Sequence, residues 1–294
     1  MSETDIPTLV ETDWLEAQLG AADLRILDCT VELAPVGAAD RRPISGRAAW
    51  QAGHIPGSDF ADLINELSDM RITHYSFPFP AAEQFAGAMS KLGVDDDTRV
   101  VLYDTGAGMW ATRLWWLLRA YGFDRAGVLN GGWQRWVREG RPVSTDPAPQ
   151  FDASFTARPR PELIVGKEDV LAAIGDSNQL IVNALRPEAH SGAAPPRHGR
   201  PGHITSSVNV PAMGPGSLID PETSAYIPLD QIRAKFEDAG ISGKERVITY
   251  CGGGIAASSA AFALHLIGVD NVTLYDASLS EWANDPTLPM ETDE

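Results

Sequence analysis

One segment decides the fold of this chain: RVITYCGGGIAASS, which spans Arg246–Ser259. Its first part, Val247–Tyr250, is a short apolar run typical of a buried strand, and Ala257–Leu266 is a small-residue run typical of a helix that Gly268 ends. Between them, Cys251 precedes three glycines, which let the backbone turn tightly and direct successive N–H groups towards one atom. The pattern predicts a thiolate held at a helix N-terminus, where the nucleophilic form of cysteine is stabilised.

A buried packing residue is the alternative interpretation of Cys251, because burial is the usual state of a free thiol. The glycine turn favours the reactive interpretation, since open α/β sheets bind their ligands at the carboxyl ends of the strands.

Length and charge limit the possible classes of protein. The chain has 294 residues and a net charge of −17, from 40 acidic and 23 basic residues. This length indicates two domains, and the acidic balance argues against nucleic acid or an anionic membrane as partners. Two cysteines are too few for a disulfide framework or a four-cysteine zinc site, which suits a reducing compartment. With an acidic N-terminus and no apolar stretch of membrane-spanning length, we expect a cytoplasmic protein without a metal or other cofactor.

The two halves of the chain repeat one pattern in the same order. The matched pairs are Leu9–Leu15 with Ile164–Leu171, Leu24–Asp28 with Gln179–Asn183, Gly53–Ser58 with Gly202–Ser207, Arg99–Asp104 with Arg246–Cys251, and Val128–Trp136 with Thr273–Trp282. Each half alternates strands with helical segments such as 82–92, 111–121 and 229–239. We therefore predict an α/β fold of two tandem domains, each a mainly parallel sheet flanked by helices. The proline-rich segment 146–161 predicts an extended linker between domains 1–145 and 162–294.

The repeat also compares the two halves at the reactive position. Where the second half has Cys251, the first half has Asp104. A carboxylate cannot act as a thiolate nucleophile, so we expect a non-catalytic first domain and a catalytic second domain.

This constellation resembles the two-domain rhodanese family of sulfurtransferases. The resemblance rests on the Gly-His-Ile motifs at His54 and His203, the strand–Cys–loop–helix unit, and the acidic residue in place of the first cysteine. It implies transfer of a sulfane sulfur from thiosulfate or 3-mercaptopyruvate, through a persulfide on Cys251, to cyanide, a small thiol or thioredoxin. It also implies that the anionic sulfur is bound by the loop, which consists of Gly252, Gly253, Gly254, Ile255, Ala256 and Ala257.

The resemblance assigns further residues to the site. Arg186, Arg197 and Arg200 would bind the sulfonate or carboxylate of the donor, although a solvated loop is the alternative for them. Asp62 and His74 match two possible auxiliary residues, which the mercaptopyruvate branch links to a hydroxyl in the cysteine loop.

The preferred donor is open at this point, because this chain has Gly253 in place of that hydroxyl and lacks the basic loop residues of the thiosulfate branch. His54 and His203 are expected to be structural, with each imidazole tying a loop to a neighbouring strand.

Three other classes of protein compete with a sulfurtransferase. A cysteine-dependent phosphatase needs an arginine at the end of the loop, where this chain has Ala257. A thioredoxin-like disulfide exchanger needs a Cys-x-x-Cys pair, and Cys29 and Cys251 do not form one. A non-catalytic rhodanese-like sulfur carrier or interaction protein is the remaining alternative. Cys29 has no glycine turn after it, and we expect it to be a packing residue.

Overall fold

The computed structural model describes residues 6–36 and 40–293, so the acidic N-terminal stretch lies outside the described residues. The chain divides into two compact units. Unit 1 comprises the described residues up to Met70, together with Phe79–Pro159 and Thr223–Ala225. Unit 2 comprises Arg71–Pro78, Arg160–Glu222 and the described residues from Tyr226 onwards. The proline-rich segment belongs to unit 1 as far as Pro159, and the short segment 71–78 belongs to unit 2.

Unit 1 is built on a parallel sheet. Its elements in chain order are β1 (Leu9–Val10), α1 (Thr12–Gln18), β2 (Leu24–Asp28), β3 (Val31–Val36), β4 (Asp40–Ser45), α2 (Arg47–Ala52), β5 (Ser58–Phe60), α3 (Ala82–Lys91), β6 (Arg99–Tyr103), α4 (Met109–Ala120), β7 (Ala126–Leu129) and α5 (Gly132–Arg138). Five of these strands form a sheet in the order β1-β7-β6-β2-β5, and β3 and β4 form an antiparallel hairpin. All neighbouring strands of the five-stranded sheet run parallel.

Unit 2 has the same plan. Its elements are a 3-10 turn (Pro161–Leu163), β8 (Ile164–Val165), α6 (Lys167–Ala173), β9 (Gln179–Asn183), α7 (Pro187–His190), β10 (His203–Ile204), β11 (Val208–Asn209), α8 (Leu229–Asp238), β12 (Arg246–Tyr250), α9 (Ile255–Leu266), β13 (Val272–Tyr275), α10 (Ser278–Trp282) and β14 (Met290–Glu291). The five-stranded sheet has the order β11-β9-β12-β13-β8, and its neighbouring strands run parallel. The predicted α/β fold with two repeated domains is confirmed.

Helix α9 explains the small-residue composition noted in the sequence. It packs on β12 and β13, and its alanines and serines are almost all buried, so small side chains let the backbone approach the sheet closely. The helix begins at Ile255, two residues before the predicted start at Ala257. Gly254 causes this difference, because its φ of +81° ends the turn in a left-handed conformation that glycine adopts without strain. Throughout the described ranges, each helix is too short or too polar to cross a lipid bilayer.

The predicted linker is extended but packs on unit 1. The Phe151 ring lies under the guanidinium of Arg25, 3.4 Å from its central carbon. The Phe155 ring lies against Phe85 and Phe123, at centroid distances of 5.6 and 5.7 Å. These aromatic contacts bury apolar surface and fix the path of the segment along this unit.

Candidate active site

Cys251 lies at the carboxyl end of β12, directly before the glycine turn and α9. β12 is a central strand between β9 and β13, so this end is the edge at which α/β sheets bind ligands. The cysteine is a free thiol and is 2% exposed. The strand–cysteine–turn–helix arrangement is the one that the sequence predicts.

The turn between β13 and α10 holds the backbone of the cysteine loop. The Ser278 hydroxyl accepts hydrogen bonds from the N–H of Cys251 at 3.0 Å and of Gly254 at 3.2 Å, and donates to the carbonyl of Tyr275 at 2.8 Å. Ser278 has a φ of +52°, a strained value for a residue with a side chain, and these three bonds stabilise it. The N–H of Leu279 donates to the Cys251 carbonyl at 3.1 Å. The loop is therefore fixed before any ligand binds.

The matching loop of unit 1 shows what such backbone amides can bind. The Asp104 carboxylate is fully buried and accepts four hydrogen bonds of 2.8 to 3.1 Å from the N–H groups of Gly106, Gly108, Trp110 and Ala111. Burial raises the pKa of this carboxyl, and the four hydrogen bonds act in the opposite direction. Unit 1 therefore holds a carboxyl group by its oxygens in a loop of backbone amides that precedes a helix. In unit 2, the residue at that place is Cys251.

Gly253 has room for a side chain. A Cβ atom added there would lie 3.5 Å from both the Ser280 hydroxyl and the Ser76 carbonyl, and 3.6 Å from the Ser76 Cβ, which are ordinary contact distances. Ser76 belongs to the segment of unit 2 that precedes Pro78. The loop thus lacks a hydroxyl at position 253, but two serines border the space.

Gly252 has no such room, because His198 occupies the space beside it. A Cβ atom added to Gly252 would lie 2.3 Å from the His198 Nε2. His198 is a site residue that the sequence analysis missed. No local pattern in the sequence points to it, because the contact joins two distant loops.

The three predicted arginines differ in their surroundings. Arg186 and Arg197 are exposed, and neither guanidinium has a hydrogen-bond or salt-bridge partner within the described part of the chain. Arg200 instead donates to the backbone carbonyls of Trp282, Ala283, Asp285 and Leu288 at 2.7 to 3.3 Å. The carbonyl of Trp282 belongs to the last residue of α10 and the other three follow it, and these contacts give Arg200 a structural role.

The two predicted auxiliary residues lie in different units. In unit 1, the Asp62 carboxylate accepts hydrogen bonds from the Ser45 hydroxyl, from the N–H groups of Ile64 and Asn65 and from the Asn65 amide. Burial alone would raise the pKa of Asp62, but the bonds from Asn65 and Ser45 lower it overall. In unit 2, His74 is exposed, and its ring meets Tyr75 edge-on at 5.0 Å.

The histidines of the Gly-His-Ile motifs have structural contacts. His54 Nδ1 lies 2.8 Å from the carbonyl of Trp50 in α2, and the two rings stack at 4.4 Å. His203 Nδ1 lies 2.8 Å from the carbonyl of His190 in α7, and these rings stack at 3.9 Å. Each imidazole therefore ties its loop to the preceding helix, and the predicted tie to a neighbouring strand is wrong because that helix ends beside the motif.

One group of side chains has the composition of a metal site. Potential ligand atoms of His190, His203 and Asp293 lie within 4.8 Å of one another. However, the two imidazole rings are nearly parallel, with 12° between their planes, so their lone pairs point side by side instead of converging on one ion. We therefore assign the pair to packing.

The competing chemistries find no support in the loop. Ala257 is buried in the first turn of α9, so no side chain at this position is available to bind phosphate. Cys29 is fully buried, and burial, together with the charge of Asp28, raises the pKa of its thiol well above the usual value. Such a thiol is a packing residue and a poor nucleophile.

Comparison with known proteins identifies the family. The model of the rhodanese-like domain matches residues 11–139 and again residues 167–285. The chain is 33% identical to thiosulfate/3-mercaptopyruvate sulfurtransferase 2 of Arabidopsis thaliana, over 96% of this chain and 86% of the relative. It is 34% identical to the 3-mercaptopyruvate sulfurtransferase of Escherichia coli K12, over 96% of this chain and 97% of the relative.

Among solved structures, the 3-mercaptopyruvate sulfotransferase SseA of Escherichia coli superposes with a TM-score of 0.78 at 32% identity, covering 93% of this chain and 99% of that one. Sequence and fold agree, and this chain belongs to the rhodanese family, with two rhodanese-like domains in tandem.

Proposed function

We propose that this chain is a sulfurtransferase that moves a sulfane sulfur from thiosulfate or 3-mercaptopyruvate to a thiophilic acceptor through a persulfide on Cys251. The observation that supports this most directly is the pair of equivalent loops: backbone amides bind the Asp104 carboxylate in unit 1, and in unit 2 the Cys251 thiol stands at the same place, before a glycine turn and a helix N-terminus. Such a loop suits both a thiolate and the anionic terminal sulfur of a persulfide. The names of the relatives support the same chemistry and include both donors.

The proposed reaction consists of two displacements. The Cys251 thiolate attacks the outer sulfur of the donor, so that a sulfur–sulfur bond forms while the bond to the rest of the donor breaks. The electron pair leaves with sulfite, or with the enolate of pyruvate, which then takes up a proton. An acceptor (cyanide, a small thiol or thioredoxin) next attacks the terminal sulfur, and the electrons of the sulfur–sulfur bond return to Cys251.

The chain's own groups would bind the donor. The loop amides from Gly252 to Ala257 would hold the transferred sulfur, except that of Gly254, whose N–H already donates to Ser278. Arg186 and Arg197 would hold the sulfonate or carboxylate. Asp62 and His74 remain proposed auxiliary residues. Both cysteines are free thiols, which suits a reducing compartment, and we propose the cytoplasm as the location.

The test of this function is the mass of the intact protein after incubation with each donor. We expect wild type to gain the mass of one sulfur atom, and to lose it again when cyanide or a thiol is added. Cys251→Ser should gain no sulfur and should have no transfer activity with either donor. Cys29→Ser is the matched control, because its thiol is buried against the carbonyl of Leu27, and it should load and transfer sulfur as wild type does.

Transfer by Cys251→Ser would disprove the assignment of the nucleophile. A wild type that takes up sulfur but passes it to none of the three acceptors would instead support the alternative of a rhodanese-like sulfur carrier. A wild type that takes up none from either donor would support the interaction protein.

A further inference from the structure

The imidazole of His198 is packed end-on against the glycine that follows the reactive cysteine. A Cβ atom added to Gly252 would lie 2.3 Å from Nε2 and 2.9 Å from both Cδ2 and Cε1 of the ring. All three distances are shorter than side chains tolerate in a packed interior. The ring therefore fills the volume that any side chain at position 252 would need.

The same ring is connected to the loop by hydrogen bonds through Ser280. The Ser280 hydroxyl lies 2.6 Å from the Gly252 carbonyl and 3.3 Å from His198 Nδ1. A carbonyl oxygen can only accept, so the hydroxyl donates its proton to it and accepts a hydrogen bond from Nδ1–H. The N–H of Ser280 also donates to the Gly252 carbonyl, at 2.8 Å.

These bonds determine the direction of a neighbouring amide. In a trans peptide the carbonyl and the following N–H point in opposite directions. Because Ser280 holds the Gly252 carbonyl on its side, the N–H of Gly253 must point to the other side. In unit 1, the corresponding N–H belongs to Gly106 and donates to the Asp104 carboxylate at 2.8 Å.

The backbone around His198 is anchored to the residues that follow the cysteine-loop contacts of Ser280. The Asn284 amide donates to the His198 carbonyl at 3.3 Å and to the Ser280 carbonyl at 2.8 Å. Gly199 approaches the Ala283 carbonyl so closely that an added Cβ would lie 2.7 Å from its oxygen. Arg200 then binds the carbonyls that follow α10, which explains why this arginine faces backbone instead of a donor.

The imidazole is neutral at neutral pH. Burial, followed by the charge of Arg197, lowers the pKa of His198. In this form Nδ1 carries the only proton, in agreement with its bond to Ser280.

Building on the proposed sulfur transfer, we propose that His198 is a positioning residue of the cysteine loop. Through Ser280 it fixes the Gly252 peptide so that the Gly253 N–H faces the transferred sulfur, and its ring keeps position 252 free of any side chain. The donor therefore meets backbone amides next to Cys251, and its anionic group depends on exposed Arg186 and Arg197.

The two roles are tested by a double-mutant cycle in the full chain. Gly252→Ala is combined with His198→Ala, and kcat/KM is measured with thiosulfate and with 3-mercaptopyruvate. We expect Gly252→Ala to lower kcat/KM at least about tenfold in wild type but less than about threefold in His198→Ala, because the smaller residue removes the clash. Gly87→Ala is the control, since no atom lies within 4 Å of a Cβ added there and its effect should be the same in both backgrounds.

A third variant separates the hydrogen bond from the bulk of the ring. In His198→Asn, the side-chain amide N–H takes the place of Nδ1–H, while the volume beside Gly252 becomes free. We expect His198→Asn to retain kcat/KM within about threefold of wild type and to accept Gly252→Ala, whereas His198→Ala alone loses about tenfold through the missing hydrogen bond.

The steric role would be overturned if Gly252→Ala lowered kcat/KM by the same factor in wild type and in His198→Ala. The positioning role would be overturned if His198→Asn and His198→Ala lost kcat/KM to the same extent. The same cycle measured by thermal unfolding needs no donor. A wild type that takes up no sulfur would therefore refute the proposed function, while the unfolding cycle would still decide whether His198 and Gly252 exclude each other.

Discussion

Asp28 and Asn183 end equivalent strands of the two units and differ in charge. Both are buried, and each side-chain oxygen accepts a hydrogen bond from the N–H two residues later, Thr30 at 2.8 Å and Leu185 at 2.9 Å. Burial raises the pKa of Asp28 to about 6, with a further contribution from the charge of Asp104. The amide of Asn183 makes the same hydrogen bond without a buried charge, at the smaller cost of an Nδ2 that has no hydrogen-bond partner within the described residues.

Replacing Asp28 by asparagine should therefore stabilise the protein at neutral pH. The folded pKa of Asp28 exceeds the value of the unfolded chain, so the folded state binds the proton more tightly and becomes less stable as pH rises from about 4 to about 6. A shift from 3.8 to about 6 corresponds to roughly 3 kcal/mol of unfolding free energy above pH 7, which is an upper bound on the gain. We expect Asp28→Asn to recover part of this free energy of unfolding.

The measurement is urea unfolding at about pH 5 and about pH 8 for wild type and Asp28→Asn. The free energy of unfolding of Asp28→Asn should exceed that of wild type by a large margin at the higher pH and by a smaller margin at the lower pH. Asp97→Asn, at an exposed position, serves as the control for the loss of one surface charge. An advantage that is equal at both pH values would contradict the buried-charge explanation.

Asp104 and Cys251 are two residues that suit the same kind of loop. The four amides around Asp104 satisfy a carboxylate that belongs to the chain itself, so this loop has its anion already in place. A thiol supplies fewer acceptors for such amides, and a persulfide extends one atom further into the loop. The exchange of Asp104 for Cys251 is the difference on which the proposal of a silent unit 1 and a catalytic unit 2 rests.

At the scale of elements, local pattern predicted most of the fold. The strands 24–28 and 179–183 have the predicted bounds, because each is a short apolar run between polar segments, which is the sequence pattern of a buried parallel strand. Helix α9 begins earlier than predicted because the glycine turn closes at Gly254.

Contacts between distant loops could not be predicted from the sequence. The packing of His198 on Gly252 depends on the paths of two loops, and neither residue type signals it. The contacts of Arg200 were also beyond prediction, since an arginine in a loop has the same sequence pattern whether it faces an anion or four backbone carbonyls. Tertiary geometry decides such cases, and the chain has no local signal for it.

The stacked histidines of unit 2 make one element sensitive to acid. Burial, followed by the charge of His203, lowers the pKa of His190 to about 4. A histidine in the unfolded chain has a pKa of about 6.5. The unfolded chain therefore binds more protons between these values, and the folded state loses stability as pH falls from about 6.5 towards 4. In unit 1 the corresponding ring is Trp50, which stacks on His54 and does not titrate.

His190→Phe should therefore make the protein more resistant to acid. The aromatic ring retains the stacking on His203 but has no proton to bind, so the decrease in Tm between about pH 7 and about pH 5 should be smaller than in wild type. His265→Phe is the control, because His265 is half-buried beside Asp270 on a different element. Parallel Tm curves for wild type and His190→Phe would show that this imidazole does not determine the acid sensitivity.

At the scale of the whole molecule, the two units share their internal hydrogen bonds as well as their strand order. Tyr103 bonds to the Ser58 hydroxyl at 3.0 Å in unit 1, and Tyr250 bonds to the Ser207 hydroxyl at 2.7 Å in unit 2. Equivalent positions that carry different side chains in the two units, such as Asp104 and Cys251, lie at the carboxyl ends of the strands. A duplicated scaffold that keeps its core contacts can therefore differ in chemistry at the edge of the sheet.

The segment 71–78 shows that the units do not follow the halves of the sequence. It precedes Phe79 of unit 1 in the chain, yet it belongs to unit 2. Tyr75 packs against the hydrophobic core cluster of unit 2, which includes Ile248 and Trp282. Ser76 borders the space above Gly253, with its carbonyl 3.5 Å from an added Cβ. A fragment that begins at Pro161 would lack both residues.

We therefore expect a fragment of residues 161–294 to be less stable than unit 2 in the full chain, and to transfer sulfur at least about tenfold more slowly. Removing a half-buried aromatic from a core edge costs on the order of 1–3 kcal/mol, so the full-length variant Tyr75→Ala should show part of the same loss of stability. Met70→Ala, at a residue that is 60% exposed, is the matched control. The comparison consists of thermal unfolding and kcat/KM for the fragment and both full-length variants. The prediction would be contradicted if the fragment were as stable and as active as the full chain and Tyr75→Ala had no effect. Residues 71–78 would then contribute nothing to unit 2, and its sheet and cysteine loop would be complete without them.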